Sequence, residues 1–151
     1  MATYSFENVN ATITGPGGSF PLGSGSGSAE EGIDVDMIEE KDGMVTGADG
    51  TIMHSLRASD SGTIIVRLLK TSPTNALLNA LYNFQKTGGG VNWGQNILVV
   101  SDTFRGDVVT GNQLAFSKQA PVKYAKDGNV MEWKFQGVVE ELLGTGAVSA
   151  V

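Results

Sequence analysis

The chain has 151 residues with no cysteine, 21 glycines, 40 % hydrophobic and 17 % charged content, and a formal charge of -6 at pH 7. It is long enough for one domain with its own core and too apolar to be a disordered segment. The absent thiols exclude disulfides, thiolate metal sites and cysteine nucleophiles, and the excess of acids argues against a surface that grips phosphate backbones. Glycine at about twice its average usage favours a turn-rich β architecture. The N-terminal "MATYSFENVN" has neither the basic start nor the apolar run of a signal peptide, and no stretch reaches the roughly 18 apolar residues of a membrane span.

In chain order, "TYSFENVNATIT" (3–14) predicts a strand with a bend near Glu7 and Asn8. The Gly/Ser-rich segment 15–32 predicts no regular element, and reads as a surface loop or an arm that orders against a partner. No Gly-Lys-Ser/Thr follows it, so it is not a phosphate loop. Residues 33–40 predict a strand, "KDGM" a turn, and "MVTGADGTIMHSL" a short strand interrupted at "GADG". "GTIIVRLLK" (62–70) predicts a strand covered on both sides, with Ile64, Val66 and Leu68 on one face and Ile65, Arg67 and Leu69 on the other. "TSPTNALLNALYNFQKTGGG" predicts a helix capped by Ser72, with Pro73 in its first turn and Gly88 at its end, burying a stripe of Leu77, Ala80, Leu81 and Phe84. Three β segments follow, "NILVVSDT", "DVVTGNQLAFSK" and "PVKYAKDGNVMEWKFQGVVEELLG". In the last, Lys126–Asn129 is a hairpin-turn candidate, and Met131, Trp133 and Phe135 alternate with polar residues. The tail "GTGAVSAV" is small and weakly patterned.

Chemistry is tested first on "GIDVDMIEE", where Asp34, Asp36 and Glu40 line a polar stripe. Asp34 and Asp36 have the spacing of the first two ligands of a calcium loop, but Ile38 stands at the third, the required glycine is missing, and two positions along a strand lie about 7 Å apart. A carboxylate pair for glycoside cleavage needs a cleft and two contrasting environments, which nothing here supplies. The lone His54 cannot build a zinc site, no G-x-S-x-G elbow accompanies it, and Asp60 and Asp102 sit in turns where Asp caps backbone. An enzyme is not expected, and no cofactor is implied. The plain reading is a strand with Ile33, Val35 and Met37 inward and acids outward. A monomeric calcium- or carbohydrate-binding β-sandwich remains the alternative.

Taken together, "TITGPGGSFPLGSGSGSAEEGIDVDM", "GADGTIMHSL", "SGTIIVRLLKTSPTNALLNALYN", "RGDVVTG" and "YAKDGNVMEWKF" resemble a family of bacteriophage tail tube proteins of contractile-tailed phages, over residues 2 to about 144. The join "RLLKTSPTNALLNALYN" is the most specific piece. The resemblance implies a single tail-tube domain over 1–151 with its arm at 15–32, related in fold to the tube protein of type VI secretion systems. That fold is mainly β: two packed antiparallel sheets with one flanking helix. Inner strands join in a hexameric ring, and rings stack into a conduit for genome ejection. The partners implied are other copies of the chain, the sheath, baseplate and terminator proteins, and DNA that passes without specific binding. Localisation would be the virion, with assembly in the host cytoplasm and no membrane anchor. Asp34, Asp36 and Glu40 become candidates for the lumen. Thr46, Gly47, Asp49 and Gly50 become candidates for contacts between rings, and Gly15, Pro16, Phe20 and Leu22 for an inter-subunit arm.

Overall fold

The computed structural model describes residues 4–23, 28–128 and 130–144, with side chains from 32 onward after the first segment. The proposed tail of 145–151 lies outside the described residues. A 3-10 turn at Phe6–Asn8, opened by Ser5 Oγ accepting the Glu7 N–H at 3.2 Å, makes the expected bend. Among the described residues nine strands follow, with a helix between the sixth and seventh: β1 Val9–Gly15, β2 Gly18–Pro21, β3 Ser28–Met37, β4 Asp42–Thr46, β5 Ile52–Leu56, β6 Ser61–Leu69, α1 Thr74–Gly88, β7 Asn96–Asp102, β8 Asp107–Phe116 and β9 Val130–Leu142.

Seven strands form one antiparallel sheet in the order β2-β1-β7-β8-β9-β6-β3, and β4 and β5 pair only with each other. The large sheet folds over a single core to which β1, β6, β7, β8, β9 and α1 all contribute. Period-2 alternation decides which side chains enter it: Ile64, Val66 and Leu68 of β6 and Trp133 and Phe135 of β9 are fully buried, while their sequence neighbours face out. Each such side chain contributes roughly 1.5–3 kcal/mol by leaving water. Phe116 organises the aromatic part, its ring centroid 4.8 Å from Phe135 and 5.4 Å from Tyr82.

The sheet bends where registers shift, between Asn96 and Leu98 on β7 and between Asn112 and Ala115 on β8. At the β8 bulge Gln113 takes a positive φ of 53°, and the bulged carbonyls press on β9. A side chain at Gly137 would sit 2.6 Å from the Gln113 carbonyl oxygen, so only glycine lets the two strands stay paired there.

Three expectations are corrected. The segment 15–32 is not a loop throughout: it contains the end of β1, all of β2 and the start of β3, and Leu22 is fully buried in its own subunit's core. An edge strand tolerates Gly and Pro because half its backbone groups need no strand partner, and Phe20 and Leu22 supply the apolar anchor. "KDGM" is not a turn, since Asp42, Gly43 and Met44 begin β4 and the turn comes at 47–51. The buried stripe of α1 is Asn75, Leu78, Leu81 and Gln85, whereas Leu77 and Phe84 are half exposed and Ala80 is exposed.

The rotation of the helix is caused by polar residues. Asn75 Oδ1 accepts the Trp133 Nε1–H at 3.0 Å, and Asn75 Nδ2 donates to the Leu69 carbonyl at 2.8 Å. At the other end Gln85 and Asn96 exchange two amide bonds of 2.6 and 2.9 Å, while Asn96 Nδ2 also donates to the Leu114 carbonyl and Gln85 Nε2 to the Pro16 carbonyl. Fully partnered, these amides sit in the core at little cost and fix the helix at both ends.

Candidate assembly surfaces

The hairpin β4–β5 leaves the body of the subunit on both sides exposed. Its register is Asp42↔Leu56, Met44↔His54 and Thr46↔Ile52 on one face, with Gly43↔Ser55 and Val45↔Met53 on the other. Met44, Val45, Ile52 and Met53 are each more than half exposed, and Leu56 is 87 % exposed. An isolated two-stranded ribbon is marginal in water, and among the described residues nothing covers the apolar side chains on its two faces. Exposed apolar surface of this kind is characteristic of interaction sites. Its local ties are polar: His54 Nδ1 lies 2.9 Å from Asp42 Oδ2, and Lys41 bridges Asp60 at 2.7 Å.

Of the inter-ring candidates, Thr46 is the last residue of β4, and Gly47, Asp49 and Gly50 make the tip. The Gly47 N–H donates to the Thr51 carbonyl at 2.7 Å, the Gly50 N–H to the Gly47 carbonyl at 3.0 Å, and the Thr51 N–H to Asp49 Oδ1 at 3.0 Å. Gly50 takes a φ of +89°, which a left-handed turn position requires. Hydrogen bonds from the Thr51 hydroxyl and N–H hold the Asp49 carboxyl below its ordinary value.

The lumen candidates divide. Asp34 and Asp36 point out from the face of the sheet away from the core, but Glu40 lies beyond β3 on the exposed link to the hairpin. Asp34 is not a free charge. The register sets it across from Ile65, beside Arg67 and then Glu132 on the next strands. Arg67 Nη1 donates to Asp34 Oδ2 at 2.7 Å and its Nε to Glu132 Oε1 at 3.0 Å, with the Arg67 side chain only 14 % exposed. The bond to Asp34 first, then that to Glu132, raises the guanidinium's pKa further. This face is a band of mixed charge around Arg67, continued by Asp36 and Lys134. In the sequence Arg67 reads only as a member of the second covered face of β6 with Ile65 and Leu69, because its partners come from strands 33 and 65 residues away.

The arm candidates are tied into their own subunit. Phe20 packs against the core and Leu22 is within it. The Pro16 carbonyl accepts from Gln85, and Gly15 abuts Asn96 so closely that no side chain fits. Asp102 does cap backbone, its Oδ1 accepting from the Phe104 and Arg105 N–H groups at 3.1 and 3.2 Å. Among the described residues no cluster of three or more acids and histidines is gathered around a point, and no helix is long and apolar enough to cross a membrane.

One antiparallel sheet folded over its own core, with an apolar ribbon standing clear of it among the described residues and charged outer surfaces, has the character of a structural subunit. The matches give the class its family. The family model of the bacteriophage PhiTE tail tube protein matches residues 1–144, and the chain belongs to that family. Among solved structures the chain is similar to the cap that terminates the tube of the anti-feeding prophage, at 13 % identity over 95 % of each chain with a TM-score of 0.52. It is also similar to a chain of the sheath/tube terminator of PVC, an extracellular contractile injection system in its extended state, at 12 % identity over 87 % of this chain and 92 % of that one, TM-score 0.55. A chain of the PVC sheath-tube complex gives 12 % identity, 88 % of each chain and a TM-score of 0.52. At these identities the likeness is one of fold. No curated protein matches the sequence significantly. The chain is thus a tail-tube structural protein, a component of a phage tail.

Proposed function

We propose that six copies close into a ring through their sheet edges, and that rings stack into the tube through which the genome leaves. The family match over 1–144 carries this reading. Three further features support it. The seven-stranded sheet has two unpaired edges, β2 and β3, which a ring removes. The ribbon β4–β5 projects apolar side chains that a neighbouring ring would cover, with Thr46, Gly47, Asp49 and Gly50 at the contact. The net charge of -6 suits a wall that does not hold DNA. In this reading the charged band of β3, β6 and β9 faces the bore, sheath encloses the tube, and baseplate and terminator proteins meet its two ends. Assembly takes place in the host cytoplasm and the product is part of the virion.

Concentrated protein is expected to give hollow tubes or stacked six-fold rings by negative-stain microscopy. A species that stays monomeric at every concentration and salt overturns the reading. Asp36, which is exposed, tests the bore better than Asp34, whose reversal would set a second cation beside Arg67. Asp36→Lys is expected to assemble normally and to slow ejection; failure to form rings would place Asp36 in a subunit contact instead.

A further inference from the structure

The sheet has two chemically unlike ends. The antiparallel registers put Val9, Asp102, Asp107, Leu142 and Ser61 at one end, and Gly15, Asn96, Phe116, Val130 and Leu69 at the other. The first end carries Glu7, Asp60, Asp102, Asp107, Glu140 and Glu141, against Arg105 on the β7–β8 turn and Lys41, which bridges Asp60. The second carries Lys70, Lys118, Lys123 and Lys126 on and beside the β8–β9 connection, with Asp127 and Glu132 near them and Glu30 and Glu31 close to the start of β3. An acid-rich rim at one end and a lysine-bearing connection at the other are complementary when copies stack head to tail.

The acidic end also holds a pocket of about 320 Å³, walled by Tyr4, Phe6, Ile33, Val100, Val109 and Leu143, with Asp102 and Asp107 among its lining. Asp107 is used, its Oδ1 accepting the Gly144 N–H at 2.7 Å. Asp102 is 94 % buried and only half used: both of its hydrogen bonds go to Oδ1, and its Oδ2 has no partner among the described residues. A buried carboxylate oxygen without a donor is costly, so an apolar pocket containing one is shaped for a group with an apolar body and a donor at its tip.

That group is displayed at the basic end. The β8–β9 connection runs exposed through Pro121–Lys126, with Val122 48 % and Tyr124 87 % exposed. Lys70 braces the segment, donating to the Lys123 carbonyl and lying 3.8 Å over the Tyr124 ring. Tyrosine is a rigid apolar body with a hydroxyl donor, a common interface anchor. We propose that the pocket receives the Pro121–Lys126 segment of a second copy stacked head to tail, with Tyr124 seated in it and its hydroxyl donating to Asp102 Oδ2. Lys123 and Lys126 then meet the acids at the rim. This rests on the reading that copies stack into a tube, and it names the joint between them.

The test uses the full chain. Because it contains no cysteine, Val122→Cys with Leu143→Cys introduces the only two thiols while keeping Tyr124 in place, and mild oxidation of assembled protein is expected to give a ladder of covalent oligomers. Tyr124→Glu is expected to raise the concentration needed for elongation about tenfold or more, as loss of a central anchor does, while single rings persist. Lys123→Glu with Lys126→Glu is expected to do the same and to be rescued by adding Glu140→Lys and Glu141→Lys. If wild type makes neither rings nor tubes, the tube reading itself fails. If wild type elongates and Tyr124→Glu elongates equally, with no ladder from the cysteine pair, this joint is wrong and the tube reading stands. If a chain ending at Gly144 loses elongation while the Tyr124 variant keeps it, the chain's own tail fills the pocket and the proposal is overturned.

Discussion

The helix α1 and the ribbon β4–β5 are both regular elements of modest length, yet they solve stability in opposite ways. The helix leaves Leu77 and Phe84 half exposed and buries Asn75 and Gln85, because amides with every bond satisfied locate it at both ends. The ribbon buries nothing fully within its own subunit: its hydrophobic residues stand in solvent on both faces. An apolar residue left in water by a precisely held scaffold points to association; a polar residue withdrawn into the core points to specification of one geometry. Hydrophobicity alone would assign these two regions the wrong way round.

The contrast is broken most forcefully at Trp133, which lies at the junction of the core and the helix's first pin. Trp133→Ala removes a fully buried ring and leaves Asn75 Oδ1 without its donor, and is expected to cost about 3–5 kcal/mol or more in equilibrium denaturation of the isolated subunit. A loss below about 1 kcal/mol would mean that the pin does not hold the helix. On the ribbon the expected result is reversed. Val45→Ser with Met53→Ser is expected to leave the subunit's denaturation midpoint within about 0.5 kcal/mol of wild type while abolishing long tubes by electron microscopy. If it destabilises the subunit instead, the ribbon belongs to the fold rather than to assembly. The smallest effect is at the ribbon's tip. The Asp49 carboxyl titrates below its ordinary value of 3.8 because Thr51 donates to its charged form. Its contribution to the turn is therefore complete above that ordinary value and disappears as pH falls through the lower, folded one. Proton-detected titration of Asp49 should show this depression, and Thr51→Val should lessen it.

Much of the architecture was legible in the sequence because it follows from local pattern. The alternation around Ile64 and Trp133, the helix after Pro73 and the tip at "GADG" all emerge from short-range rules. What escaped depends on partners far along the chain. Leu22 could not be separated from its Gly/Ser surroundings until β1 lay beside it, donating nothing in sequence to mark the pairing; the Leu22 N–H bonds the Ala11 carbonyl at 2.8 Å. The helix stripe was misjudged because hydropathy treats Asn75 and Gln85 as surface residues, whereas Trp133 and Asn96 make them interior ones. The acids of β3 were visible as a stripe, but the ion triad that claims Asp34 exists only once β6 lies between β3 and β9. The open valence of Asp102 likewise has no trace in "SDTFRG", where the residue reads as a turn cap and nothing more.

The two borders of the seven-stranded sheet are unequal in length: β3 runs ten residues, and β2 only four before ending on Pro21. A short border that closes on a residue without an N–H is a poor template for a passing strand. In the proposed ring, lateral joining would therefore start slowly, and a pool of newly made subunits would gain time in solution before it commits. Growth would then be governed by when a preformed platform presents a ready-made border, so that the timing of polymerisation is written into the shape of the subunit's weakest strand.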